Sequence, residues 1–574
     1  MTLRQVLVLD ADQLSALSVV RSLGRSGWTV FSAGISRRAV AFRSRYADRC
    51  LRYPDPLCQR EEFLEWLKQV LSEHSFDLVV PITDSTIGPI LRVRETLETL
   101  APIAIPPNDA MEKVLSKCHM HRLATSIGLH QPQSWIIQDR AELQQISTPR
   151  NFPLVIKAEY SRAWLEGFGQ QFETRYADNW QALEQNWARY SLYGQVLVQS
   201  VVRGHGVGLG ILARHGQLVD CFQYRRLHEL PLTGGGSAYR VSEHLDRDLE
   251  RQAKQLIENL GWHGVIMMEF KYDPEQKIYW FIEANGRFWG ALPLALVAGV
   301  DFPARLAALY SNQTIHRSTY VAGIRCRNLE RDIDWIRAAW SHPQHRMTQI
   351  LADTLRIAFP REHLDSFAVR DPRPLVAELR RIGCRLLSAC RRRLGGSAIE
   401  ARINNLRRHP EQLTKQLHHT KRIVVVCSGN IMRSAFAAGY LRHKLSCVQY
   451  RPDIVSVGLD AQAGRPADPL AREVALEFGL SLERHRARSM DTLPLGADDI
   501  IFVMDHKQMA TLTRRYPAQA SQLYPVTNLA PKLPRDITDP NGEGPLLCKQ
   551  VFSQLAEALS PVVEALSSHT HRAP

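Results

Sequence analysis

No apolar run in this 574-residue chain reaches the roughly 18 residues that a membrane-spanning helix needs. No repeat of solenoid period is present, which argues against stacked-repeat architectures. The ten cysteines are scattered without the paired spacings that hold zinc, and scattered thiols of this kind fit a reducing compartment. Met1-Thr2-Leu3-Arg4 runs straight into the apolar Val6-Leu7-Val8-Leu9, which argues against a secretory leader. A cytoplasmic protein is expected. Length predicts three or four domains, and a hydrophobic content of 45% is ordinary for chains that bury sizeable cores.

The most informative stretch reads Ile423-Val424-Val425-Val426-Cys427-Ser428-Gly429-Asn430-Ile431-Met432-Arg433-Ser434. An apolar, strand-like run ends at Cys427, five residues follow, and Arg433 opens an alanine-rich amphipathic stretch. Strand, tight loop and helix place Cys427 and Arg433 at the two ends of one loop. N–H groups gathered at a helix N-terminus bind a phosphate-like dianion. The same positive field favours a thiolate and makes Cys427 a nucleophile. Arg433 can grip two phosphate oxygens in a bidentate fork. A lone cysteine is more often an inert core residue. Here Arg433, Ser434 and the downstream Thr538-Asp539-Pro540, set before the helix-like Val551 to Leu566, weigh against that reading.

The stretch from Lys421 to the C-terminus resembles the low-molecular-weight protein tyrosine phosphatases. The likeness extends to Ser456-Val457-Gly458, Gly464-Arg465-Pro466-Ala467-Asp468-Pro469, His485-Arg486-Ala487-Arg488 and Phe502-Val503-Met504-Asp505. It implies a doubly wound parallel α/β domain over 421–574 that needs no cofactor. It also implies that Cys427 attacks phosphorus to form a phosphocysteine and that Arg433 binds the phosphoryl oxygens. Asp539 would protonate the leaving oxygen and then deprotonate water. Ser428, Gly429, Asn430, Ile431 and Met432 would form the phosphate loop, with Asn430 holding its shape and Ser434 donating to the thiolate. Three departures stand out. Met432 replaces the second cysteine that the family often carries in the loop. Asn541-Gly542 follows Asp539-Pro540 where an aromatic residue is usual. Leu459-Asp460-Ala461-Gln462 also lacks an aromatic wall, and a flat phosphotyrosine ring needs apolar faces to stack on. A smaller or more polar phosphomonoester is therefore expected.

Strand-like and helix-like runs alternate over the first 105 residues, which indicates a parallel α/β sheet. Two lysines follow: Lys117 within the helix-like stretch from Met111 to Ile127, and Lys157 closing the strand-like run that starts at Phe152. Val265 to Phe270 and Trp280 to Arg287 read as two further strands. Glu283 and Asn285, two apart, project to one face of a strand. With Glu269 they make an all-oxygen site suited to Mg2+ that carries nucleotide phosphates. Each feature alone is commonplace; their order within one domain-sized stretch is not.

Residues 1–315 resemble the ATP-grasp superfamily, in particular its carboxylate–amine ligase branch. The matching runs are Glu269-Phe270-Lys271-Tyr272-Asp273-Pro274, Glu283-Ala284-Asn285-Gly286-Arg287-Phe288-Trp289-Gly290 and Ala298-Gly299-Val300-Asp301. The resemblance implies a pre-ATP-grasp α/β domain over 1–105 and a two-lobed α+β ATP-binding region over 106–315. Lys117 and Lys157 would contact the ATP phosphates, and Gln199, Ser200 and Val201 would be the hinge against adenine. Glu269, Glu283 and Asn285 would hold one or two Mg2+ ions, and Arg287 would stabilise the transferring phosphoryl group. Two departures are the missing carboxylate for the ribose in Arg203-Gly204-His205-Gly206-Val207 and a glycine-poor loop from Ser161 to Gly169. Thr233-Gly234-Gly235-Gly236-Ser237 is either a substrate loop or simply flexible.

Net charge is +14, and much of the excess lies between Arg380 and Arg422. Residues 316–420 read as an accessory segment and a basic helical connector, interrupted at Gly395-Gly396. Three readings of its charge compete: a solvated face, a peripheral contact with acidic membrane lipid, and nucleic-acid binding. The last has no recognition motif behind it and is not expected. The chain as a whole reads as an α/β multidomain protein with two activities. One is ATP-dependent ligation of small-molecule carboxylate and amine substrates. The other is hydrolysis of a phosphomonoester or a phosphotyrosine protein. A regulatory phosphotyrosine phosphatase with an ATP-grasp partner domain is one alternative. A non-catalytic nucleotide sensor that positions the phosphatase is another.

Overall fold

The computed structural model describes residues 4–146, 152–165, 168–232, 234–340, 342, 347–356, 362–446, 448 and 451–568. Side chains at 165, 168, 347, 349 and 388–398 lie outside the description. Thr233, and the side chains of Arg391–Arg393 within the basic connector, therefore fall outside the described residues. The chain divides into two compact units, residues 1–183 with 193–384, and residues 184–192 with 385–574.

The first unit opens with a parallel sheet of β1 (Gln5–Val8), β2 (Thr29–Gly34), β3 (Arg49–Arg52) and β4 (Leu78–Val80), in the order β3-β2-β1-β4. Val6, Leu7 and Val8 are fully buried, as a strand covered on both faces requires. Helices Leu14–Arg25 and Arg60–Glu73 connect the strands, and helix Asp84–Arg92 follows β4. The stretch from Met111 to Ile127 is not one helix. It forms two, Asn108–Leu115 and Lys117–Ser126, because Ser116 turns extended and caps the second by accepting from the N–H of His119. Lys117 thus starts a helix instead of sitting inside one.

A small antiparallel sheet follows, built from β5 (Ser134–Ile137), β6 (Leu154–Ala158), β9 (Arg175–Ala177) and β10 (Val196–Ser200), in the order β5-β10-β6-β9. The hairpin of β7 (Arg162–Leu165) and β8 (Phe168–Gln171) is a separate two-stranded sheet. A seven-stranded sheet completes the unit: β11 (His205–Arg214), β12 (Gln217–Leu230), β13 (Gly236–Ser242), β14 (Gly264–Asp273), β15 (Ile278–Asn285), β16 (Arg325–Arg327) and β17 (Glu362–Leu364). Its order is β15-β14-β11-β12-β13-β16-β17. Helix Arg247–Leu260 packs Leu249, Ala253, Leu256, Ile257 and Leu260 into the core, the spacing of one apolar helix face.

The second unit holds a parallel sheet of β18 (Arg422–Cys427), β19 (Asp453–Gly458), β20 (Asp499–Val503) and β21 (Leu523–Pro525), in the order β19-β18-β20-β21. β18 is a central strand, and Ile423 to Val426 are completely buried. Helices Arg433–Lys444, Pro469–Leu476, His506–Arg515 and Pro545–Ser567 belong to this unit, and Phe436 stacks on Phe552 at 4.0 Å between ring centroids.

A single helix, Arg373–Arg408, runs through Gly395-Gly396, where the sequence predicts a break. Two glycines cost about 2 kcal/mol of helix propensity, and good helix formers on both sides outweigh that. Several connector charges are engaged by protein atoms. Arg407 donates to the carbonyls of Pro531 at 2.7 Å and Leu533 at 2.8 Å, Arg402 to that of Ala520, and Arg381 to Glu330 at 2.9 Å. Among the described residues no single helix is long and apolar enough to cross a membrane.

Candidate active sites

In the second unit the fold delivers Cys427 at the C-terminal end of β18, opposite Gly458 of β19. The thiol lies 2.9 Å from Ser434 Oγ and accepts from the Asn430 N–H at 3.2 Å. Asn430 takes a left-handed conformation, with φ of 54°, which turns the loop back on itself. Its side chain fixes that shape from both ends. Nδ2 donates to Ser434 Oγ at 2.9 Å, and Oδ1 accepts from the Arg488 N–H at 2.8 Å. His485 Nε2 lies 2.6 Å from the Asn430 carbonyl oxygen; a carbonyl only accepts, so Nε2 carries the proton. Burial pushes the His485 pKa below its ordinary value. Gly458 is a necessary close approach, because a Cβ there would come within 2.5 Å of the Ser428 carbonyl oxygen.

Arg433 is the first residue of its helix and is 2% exposed. It donates to the Ile537 carbonyl at 2.9 Å, pairs with Asp505 at 3.4 Å and bonds to Asp539. Asp539 comes from the far end of the unit, yet its carboxylate meets the guanidinium at the mouth of the loop. Ser428, Gly429, Ile431 and Met432 complete the turn, and the Ile431 carbonyl accepts from the Asp468 N–H at 3.0 Å. The structure thus brings the distant aspartate onto the arginine that closes the loop opened by Cys427. Asp505, His485 and Arg488 hold the loop in place. Their motifs are visible in the sequence, but their partners are not.

The first unit builds its cluster from five separate segments. β14 and β15 set Glu269 opposite Glu283, and Asn285 Nδ2 donates to Glu283 Oε1 at 3.1 Å, so the three oxygen-bearing side chains share one face. Lys157 on β6 is buried and Lys117 half-buried, both within the field of Glu283, and Lys117 Nζ donates to Ser161 Oγ at 2.7 Å. Burial lowers the pKa of both lysines. Burial alone would raise that of Glu283, but Lys157 and Lys117 outweigh it and hold the group below its ordinary value. Glu269 goes the other way: burial raises it, Arg226 opposes the rise, and the neighbouring Glu283 adds to it.

Arg226 of β12, absent from the sequence reading, pairs with Glu269 at 2.7 Å. Arg287 donates to Asn285 Oδ1 at 3.0 Å and to Asp84 Oδ1 at 3.0 Å. Gln199 is buried and donates to Ser134 Oγ at 3.0 Å, while Val201 is 40% exposed. Gln199, Ser200 and Val201 line a cleft with Lys157, Glu269 and Glu283. Two carboxylates and an amide on one face fit a hard cation that arrives with phosphate and water ligands. Among the described residues no group of three or more His, Cys, Asp or Glu side chains forms a dedicated metal cage.

A nucleophilic cysteine at the end of a central parallel strand, with an arginine and a carboxylate across the loop, defines a cysteine-dependent phosphatase. The family model for low molecular weight phosphotyrosine protein phosphatase matches residues 422–572. Over 120 residues the chain is 37% identical to the probable low molecular weight protein-tyrosine-phosphatase EpsP of Ralstonia nicotianae, covering 21% of this chain and 78% of that protein. Over 149 residues it is 30% identical to the phosphatase Wzb of Salmonella typhi, covering 26% and 95%. Through this region the chain belongs to the low molecular weight protein tyrosine phosphatase family. Among solved structures it aligns with an L-amino acid ligase from Bacillus licheniformis at TM-score 0.42 and 15% identity, covering 54% of this chain and 74% of that one. It also aligns with an N5-carboxyaminoimidazole synthetase from Staphylococcus aureus at TM-score 0.46 and 11% identity, covering 60% and 89%.

Proposed function

We propose that the chain is a bifunctional enzyme: a ligase that joins a carboxylate to an amine at the expense of ATP, and a phosphatase acting on a phosphomonoester of the same pathway. In the phosphatase, Cys427 attacks phosphorus, the loop N–H groups and Arg433 take up the phosphoryl oxygens, and the P–O bond to the leaving group breaks. When the phosphoryl group occupies Arg433, Asp539 is released from that guanidinium and can protonate the departing oxygen. The same carboxylate then takes a proton from the water that hydrolyses the phosphocysteine. Positioned donors supply most of the catalysis.

In the ligase, Lys117 and Lys157 would bind ATP phosphates, Gln199 to Val201 would border the base, and Glu269, Glu283 and Asn285 would hold Mg2+. A bound ion would supply charge neutralisation for the phosphoryl group. Arg287 orients that group. The observation that carries this half is the partly buried juxtaposition of Glu283 with two lysines, a second carboxylate and an amide. Buried charge of this density is costly without a charged ligand to complete it. ATP and a free thiol both suit a cytoplasmic enzyme. The engaged connector arginines favour packing over contact with lipid.

The relatives carry the name protein-tyrosine-phosphatase, which favours a second reading in which the substrate is a phosphotyrosine protein. The residues at these positions speak for something smaller: Asp460 and Asn541 are exposed and polar, and Leu459 packs against the core. Kinetics on phosphotyrosine peptides against sugar and alcohol phosphates separate the two. Mass spectrometry of a cell-extract reaction with Mg-ATP tests the joint pathway. A phosphorylated condensation product that accumulates with Cys427→Ser and disappears with the intact chain is the expected result. Identical small-molecule products from both chains would contradict it.

A further inference from the structure

We propose that Arg407, near the end of the helix Arg373–Arg408, is a positioning residue for the phosphatase. It holds the loop that delivers Asp539, so that the carboxylate stands where the leaving oxygen departs. The proposal rests on the reading of Asp539 as the general acid and names what keeps that acid in place.

Asp539 needs outside support because of where it lies. Between β21, which ends at Pro525, and the helix that starts at Pro545, the described residues form no strand or α-helix. No ladder of backbone bonds fixes this stretch, so single contacts must. One side of it is tied to the phosphate loop and its neighbours. The Ile537 N–H donates to the Met504 carbonyl at 2.8 Å, and the Ile537 carbonyl accepts from Arg433 at 2.9 Å. The His506 N–H donates to Asp536 Oδ1 at 3.1 Å. None of these bonds reaches the turn from Ala530 to Leu533, which leads into the acid.

Arg407 holds that turn. Its Nη2 lies 2.7 Å from the carbonyl oxygen of Pro531, 2.8 Å from that of Leu533 and 3.5 Å from that of Ala530. Three carbonyls of one turn converge on one cation, and a charged donor bonds them more strongly than a neutral one would. Two turns earlier on the same helix face, Glu400 pairs with Arg535 at 3.3 Å. That pair is half exposed and adds little alone, but it repeats the link between this helix and the acid's loop. The helix is a firm base, because Ile403 and Leu406 are buried in the core of the second unit. Pro534 fixes one backbone dihedral between Leu533 and Asp539, so a shift of the turn carries through to the carboxylate. Misplacing a catalytic group by about 1 Å can cost about 10²-fold in rate.

The test compares kcat/KM of the full chain for two substrates. Phenyl phosphate has a leaving oxygen that must be protonated, and 2,4-dinitrophenyl phosphate has one that needs no proton. Arg407→Met should lower the first about tenfold or more and keep the second within about twofold. Arg407→Lys, which keeps a charged donor, should recover part of the loss. In an Asp539→Asn background, Arg407→Met should cost nothing further with phenyl phosphate, because the acid it positions is gone. The dinitrophenyl rate counts folded sites, so a variant that only loses stability lowers both substrates alike. If Arg407→Met yields no soluble chain, Arg407→Lys carries the same comparison at a smaller loss. Equal losses with both substrates, no loss with either, or an undiminished loss on top of Asp539→Asn overturns the proposal. If Asp539→Asn itself lowers both substrates equally, the general-acid reading falls first and takes this proposal with it.

Discussion

The cysteine site and the lysine–glutamate site differ in how much chain it takes to build them. Eight consecutive residues, Cys427 to Ser434, supply the nucleophile, the phosphate-binding loop and the arginine, and only Asp539 comes from far away. The other site gathers Lys117, Lys157, Arg226, Glu269, Glu283 and Arg287 from separate segments. A site made by one loop inherits its geometry from local backbone conformation. A site made by several segments inherits it from tertiary packing. The first should therefore fail one residue at a time, through chemistry, and the second through charge balance.

The sharpest break in that comparison is Cys427→Ser. It should reduce hydrolysis of para-nitrophenyl phosphate by about 10³-fold or more, since a serine hydroxyl here has no general base to activate it. Asp539→Asn should cost about 10²- to 10⁴-fold with a poor leaving group. The loss should shrink with a leaving group that needs no proton, and an equal loss with both would mean that Asp539 is not the acid. Asn430→Ala puts alanine where φ is 54° and strands Ser434 and the Arg488 N–H. A destabilisation of about 1–3 kcal/mol is expected, read as a lower urea midpoint for phosphatase inactivation.

Smallest of all is a pH effect through His485. Its folded pKa lies below the unfolded value, so the unfolded chain takes up the proton first as pH falls. Stability is full above about pH 6.5 and declines below it, until the folded value is reached. The urea midpoint should fall between pH 7.5 and 5.5 by less in His485→Gln than in the parent chain.

Legibility in the sequence follows the same division. The phosphate loop could be read because strand, loop and helix are contiguous and each position has a distinct chemical reason. Glu283 and Asn285 could be placed on one face by strand alternation, and the structure joins them by a hydrogen bond. Arg226 could not be found, because nothing local distinguishes an arginine aimed at a carboxylate on another strand from a solvated one. Local signals also misled. Gly395-Gly396 looked like an end, yet the helix Arg373–Arg408 propagates through it. Met111 to Ile127 looked like one helix, yet Ser116 caps a new one. Both misreadings turn on cooperativity and capping, which a window of hydrophobic spacing does not weigh.

The account's central claim is that two chemistries rest on two separate residue sets. The most direct measurement uses one preparation of Glu283→Gln, with ADP release from Mg-ATP and hydrolysis of para-nitrophenyl phosphate followed side by side. The account predicts that ADP release is lost and phosphate hydrolysis continues at the parent rate. Retention of ADP release, or loss of both activities together in a folded chain, would contradict it.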